Sequence, residues 1–155
     1  TMDNNDILRS LRYTFDFNDD KMMELFASGG LEVTRTQVCD WLKREDDTDL
    51  KAIYDQQLAS FLNGFINHKR GKKEGEQATA EKKLNNNIVL RKLKIALNLK
   101  DEEILEILML ANFRISKSEL SAFFRKPEQS QFKMCKDQIM RNFLHGLRMK
   151  YRKQL

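Results

Sequence analysis

At 155 residues the chain is long enough for one ordinary domain or two small ones, and 41% hydrophobic and 33% charged residues with one Pro and six Gly suit compact helices and disfavour an all-β fold. No apolar run reaches the roughly eighteen residues of a membrane span, and the N-terminus lacks a basic-then-apolar signal pattern, so a cytoplasmic protein without membrane contact is expected. The formal net charge is +5, which admits an anionic partner.

Displacing the sequence by 82 residues aligns 5–71 with 87–153 without a gap. Identities and conservative exchanges recur along the alignment, so each copy must use the same apolar positions for the same core. The first predicted helix carries Ile7, Leu8, Leu11 and Phe15 on one face, mirrored by Val89, Leu90, Leu93 and Leu97. The second starts after Asn18, an N-cap followed by Asp19 and Asp20, and ends at Gly29 and Gly30; its partner ends near Asn112.

Thr34 with Gln37, and Ser116 with Glu119, have the spacing of capping boxes and open the third helix of each copy. Its core residues are Val38, Trp41 and Leu42, or Leu120, Phe123 and Phe124, with Trp41 and Phe123 expected at matching buried sites. Pro127 stops the second copy of it. The fourth helix places Leu50, Tyr54, Leu58, Phe61, Leu62 and Phe65 on one face up to Gly71, and its counterpart runs from about Gln131 to Lys153. Gly64 and Gly146 share one place in the two fourth helices, where another helix is expected to come close, with the contact between copies as one option. The polar stretch 72–86 is the linker, giving 2–71 and 87–153 as the two helical repeats. The expected fold class is therefore all-α: a tandem duplication of a small four-helix domain, each with a helix-turn-helix-like hairpin.

At Leu8-Arg9-Ser10-Leu11-Arg12-Tyr13, Trp41-Leu42-Lys43-Arg44-Glu45-Asp46 and Phe61-Leu62-Asn63-Gly64-Phe65-Ile66 the chain resembles the YehS-like family of bacterial proteins. The resemblance covers essentially the whole chain and implies two copies of domain of unknown function 1456. It carries no activity and no site residues.

No catalytic constellation is evident, and neither a cofactor nor a metal is expected. His68 and His145 are not at equivalent positions and have no metal-ligand spacing with a neighbouring Cys or His. Cys39 and Cys135 are read as small buried thiols within helices. Gly29-Gly30 lacks the Lys-Ser/Thr of a phosphate loop.

The second and third helices resemble a helix-turn-helix with too long a connection, and such a hairpin would present Arg35 and Gln37, or Lys117 and Ser118, to a groove. Charge is unevenly divided: residues 1–71 sum to −4, 72–84 to +1 and 85–155 to +8. An electrostatic footprint for nucleic acid therefore falls on the second copy, at Arg125 and Lys126 and in the dense run Arg141, Arg148, Lys150, Arg152 and Lys153. Two readings stay open. One is a small nucleic-acid-binding, regulatory protein acting through the basic repeat; the other is a protein-interaction adapter, or self-associating protein, that pairs acidic with basic repeats.

Overall fold

The computed structural model describes residues 2–152, and within them the chain forms eight α-helices and no strand. The first repeat comprises α1 (Asn4–Thr14), α2 (Asp19–Ser28), α3 (Arg35–Leu42) and α4 (Asp55–Arg70). The second comprises α5 (Asn86–Ala96), α6 (Asp101–Leu110), α7 (Lys117–Phe123) and α8 (Asp137–Tyr151).

Local chemistry sets most of these boundaries. Asp3 caps α1, Asn18 caps α2 and Asn85 caps α5, each side chain accepting a first-turn N–H. Thr34 and Gln37 form the full reciprocal box, whereas Ser116 accepts from the Glu119 N–H without a returning bond from the Glu119 side chain. Asn112 (φ 56°) takes the left-handed turn that Gly30 (φ 94°) makes in the first repeat.

The fourth helices start later than their apolar faces suggest, at Asp55 and Asp137. The cause is a buried asparagine. Asn5 donates through Nδ2 to the Trp41 carbonyl (2.9 Å) and the Lys51 carbonyl (2.8 Å), while its Oδ1 accepts from the Ile53 N–H (3.2 Å). These bonds hold 51–53 as non-helical chain, because a backbone group bound to Asn5 is not available to a helical ladder. Asn87 does the same to Phe123, Lys133 and Cys135 at 3.0, 2.8 and 2.8 Å. Tyr54 is consequently a largely exposed cap residue rather than part of the core. Cys135 lies in the connection before α8, not in a helix.

One hydrophobic cluster runs through both repeats. Trp41 (4% exposed) and Phe123 (2%) are buried at matching sites, and Phe26 lies between Trp41 and Phe61 with ring centroids 5.2 and 5.1 Å away. Gly64 and Gly146 do mark close helix approaches, but within each repeat: α4 lies on α2, and α8 on α6. A Cβ on Gly64 would stand 1.7 Å from the Leu25 carbonyl oxygen, and one on Gly146 2.1 Å from that of Ile107.

The repeats meet along two seams, α4 against α5 and α1 against α8, which the 82-residue offset exchanges. Asp55 accepts from Asn4 Nδ2 of its own repeat (2.7 Å) and from the Leu84 N–H ahead of α5 (2.8 Å). Asp137 accepts from Asn86 Nδ2 (2.8 Å) and the Met2 N–H ahead of α1 (3.2 Å). The Asn86 bond is the main reason that the Asp137 carboxyl is held below its ordinary range, opposed by partial desolvation and helped by Met2.

The two cysteines differ in access. Cys39 is half-buried on α3, whereas Cys135 is 2% exposed and burial, then the nearby Asp137 and Glu119 charges, push its thiol up to about 12. A thiol-reactive reagent at neutral pH is expected to modify Cys39 promptly and Cys135 only after denaturation, because the thiolate is the attacking species. Equal rates at both positions in the native protein would contradict this.

Candidate nucleic-acid interface

The two seams are built from equivalent helices but carry different side chains. Along α4–α5 the seam is largely apolar and closed: Ala59, Leu62, Phe65 and Ile66 on α4 belong to or pack on the core. Its one buried charge is Lys92 (9% exposed), whose Nζ donates to Asn63 Oδ1 at 2.6 Å and pairs with linker Glu81 Oε1 at 2.9 Å. A buried ammonium needs both the acceptor and the counter-charge, and here it has them.

Along α1–α8 the offset replaces Ala59 by Arg141, Ile66 by Arg148, Asn63 by His145 and Lys92 by Ser10. An open groove of about 390 Å³ results. Arg9, Arg12 and Tyr13 line it from α1, and Arg141, His145 and Arg148 from α8, over an apolar base that includes Met2 and Leu144. Asp6 is the one carboxylate among the lining residues, and it is already paired with Arg9. Arg9 is further fixed by donating to the Lys43 carbonyl at 2.7 Å. The Arg12 Nε and the Ser10 Oγ are buried without a protein hydrogen bond, as are Asn63 Nδ2 and, its ion pair with Lys92 aside, Glu81 Oε1 in the other seam.

Arg152 is not among the lining residues but contacts one of them, Tyr13. Its guanidinium donates to the Tyr13 carbonyl (2.7 Å), pairs with Asp16 (3.2 Å) and stacks over the Tyr13 ring at 4.1 Å from the centroid. This residue therefore ties the second repeat to the first rather than standing free on the helix end.

The other side chains singled out from the sequence are dispersed. Arg35 at the start of α3 is paired with Asp20 and lies 3.6 Å from Asp19; the bond to Asp20, with its charge, raises the guanidinium pKa. Lys117 at the start of α7 pairs with Glu102 at 2.7 Å, the equivalent contact, and that bond lowers the carboxyl and raises the ammonium. Gln37 Oε1 accepts the Thr34 N–H at 2.8 Å. Each of these three is thus tied to a neighbour by at least one intramolecular contact. Ser118, Arg125 and Lys126 are exposed, Ser118 on α7 and the two cations in the connection after it. Lys150 is exposed with its Nζ 5.5 Å from the Tyr151 ring centroid, and Lys153 lies outside the described residues. The connection between α2 and α3, residues 29–34, is longer than the three- or four-residue turn of a helix-turn-helix.

Of the sequence candidates, the fold thus brings Arg141 and Arg148 into one groove and sets Arg152 against its lining residue Tyr13. It adds Arg9, Ser10, Arg12, Tyr13 and His145, which the basic runs of the sequence do not single out. The net charge of the first repeat hides Arg9 and Arg12; their spacing at i and i+3 on one helix is the available signal. No group of three or more His, Cys, Asp or Glu placed to hold a metal occurs among the described residues, and none of the described helices is long and apolar enough to cross a membrane.

The family of proteins of unknown function DUF1456 matches the chain twice, at residues 4–71 and 86–153. The chain is also 45% identical over 144 residues to the uncharacterized protein YehS of Escherichia coli strain K12, covering 92% of each sequence. No solved structure matches the chain.

Proposed function

The chain belongs to the DUF1456 family of proteins of unknown function, and we propose that it binds nucleic acid, with the α1–α8 groove receiving backbone phosphates. The observation that carries this reading is the gathering of Arg12, Arg141 and Arg148 from both repeats in one groove whose single carboxylate, Asp6, is already paired with Arg9. Guanidinium groups match phosphate oxygens in pairs, and clustered cations favour a polyanion by releasing its counterions. The engagement of Arg35, Lys117 and Gln37 in intramolecular bonds favours contact with the phosphate backbone over reading of base edges. The acidic and basic repeats meet through apolar side chains and the Asp55 and Asp137 bonds, with Arg152 to Asp16 the ion pair between their helical parts among the described residues. That arrangement favours the groove over charge pairing as the functional surface.

Anisotropy titration of a labelled mixed-sequence strand at two salt concentrations tests the reading. Arg141→Glu and Arg148→Glu are each expected to weaken binding about tenfold or more and to lower the salt slope by about one for every phosphate that is no longer neutralised. Lys117→Glu and Ser118→Ala should change little, and Asp40→Lys or Glu45→Lys should not impair binding. Unchanged affinity and slope in both arginine variants would remove the groove from the function; no binding by the wild type near physiological salt would remove nucleic acid.

A further inference from the structure

The groove is small for the charge it holds. At about 390 Å³ it is near the lower end of the range for small-molecule sites, enough for one nucleotide-sized group. Four guanidinium groups against Asp6 leave a lining charge well beyond what one internal phosphodiester neutralises. A terminal phosphomonoester carries about −1.5 to −2 at neutral pH, with three strong acceptor oxygens.

In the other seam an anion is held by a different set of side chains. There the Glu81 carboxylate reaches Lys92, which is bonded to Asn63. The 82-residue offset carries Lys92 onto Ser10 and Asn63 onto His145. An anion therefore sits, in one seam, beside the positions that in the other seam border the groove. Where the closed seam has Ala59 and Ile66, the groove has Arg141 and Arg148, which add positive charge.

We propose that the α1–α8 groove is a receptor for a terminal phosphomonoester, carried either by the end of a phosphorylated strand or by a free nucleotide, with Arg12 and Arg148 as its chief ligands. The proposal deepens the nucleic-acid reading and rests on it for the choice of strand as probe. The test compares two internally labelled single strands of one sequence, phosphorylated at both ends or at neither, with AMP and adenosine as competitors and calorimetry of AMP alone.

The phosphorylated strand is expected to bind at least about tenfold tighter than its twin. AMP should displace it and adenosine should not. Arg148→Gln and Arg12→Gln should each reduce the preference to about twofold or less; Arg148→Gln serves alone if Arg12→Gln does not fold, as judged by its melting curve. Equal affinity for both strands overturns the proposal and leaves general phosphate binding in place. AMP bound with neither strand bound supports the proposal with a free nucleotide as the source and removes the nucleic-acid reading. No binding of strand or AMP removes both.

Discussion

Gly64→Ala is expected to lower stability by about 3–5 kcal/mol, although Ala is the better helix former by about 1 kcal/mol. The new Cβ would lie 1.7 Å from the Leu25 carbonyl oxygen and 3.2 Å from the Gly29 N, both backbone atoms that no rotamer change can move aside. The α2 and α4 axes must then separate, loosening Phe26 against Phe61. For a chain of this size the melting temperature should fall by about 10 °C. Gly29→Ala meets the Ser60 carbonyl oxygen at the same 1.7 Å and should behave alike. The second repeat has Ala111 at the position of Gly29, so its crossing depends on Gly146, where the corresponding approach to Ile107 is a little wider at 2.1 Å. Gly146→Ala should accordingly cost less than Gly64→Ala. A thermal melt in which Gly64→Ala matches the wild type would show that the helices do not cross so closely.

Asn5→Ala is expected to cost about 3 kcal/mol or more. Truncation removes three hydrogen bonds and leaves the Trp41 carbonyl, the Lys51 carbonyl and the Ile53 N–H without their partner, each a penalty of about 1–3 kcal/mol where water cannot enter. The segment between α3 and α4 would lose its anchor, so hydrogen exchange should rise at Ile53 before the rest of the core opens. Asn87→Ala should produce the same change around Cys135, exposing its thiol to reagent. A variant that melts normally, with Ile53 still protected, would mean that the segment is held by its apolar side chains alone.

The same asparagines explain what can be read from the sequence and what cannot. Caps, glycine stops and the offset identify the helices because they act over a few residues, and Asn18, Thr34 and Gly71 each sit where their chemistry requires. The starts of α4 and α8 are set by Asn5 and Asn87 acting across 48 residues, so Leu50 and Tyr54 read as a helical face although the chain there is non-helical. The groove is hidden for a related reason. Arg12 and Arg148 lie at opposite ends of the sequence, and only the packing of α1 on α8 joins them. Lys117 looks available in the sequence because its partner Glu102 lies 15 residues away on a different helix.

The exchange of partners between the repeats frees them from a constraint of symmetry. Were one repeat to assemble as a pair of identical chains, both seams would have to carry the same side chains, and any charge placed in one would appear in the other. Joining the repeats in a single polypeptide lifts that requirement. One seam here is sealed with Ala59, Ile66 and the Lys92–Glu81 pair, while the other holds Arg141 and Arg148 in an open groove. The closed seam can thus secure the union of the two halves while the open one accumulates cations that a symmetric pair would have had to tolerate twice.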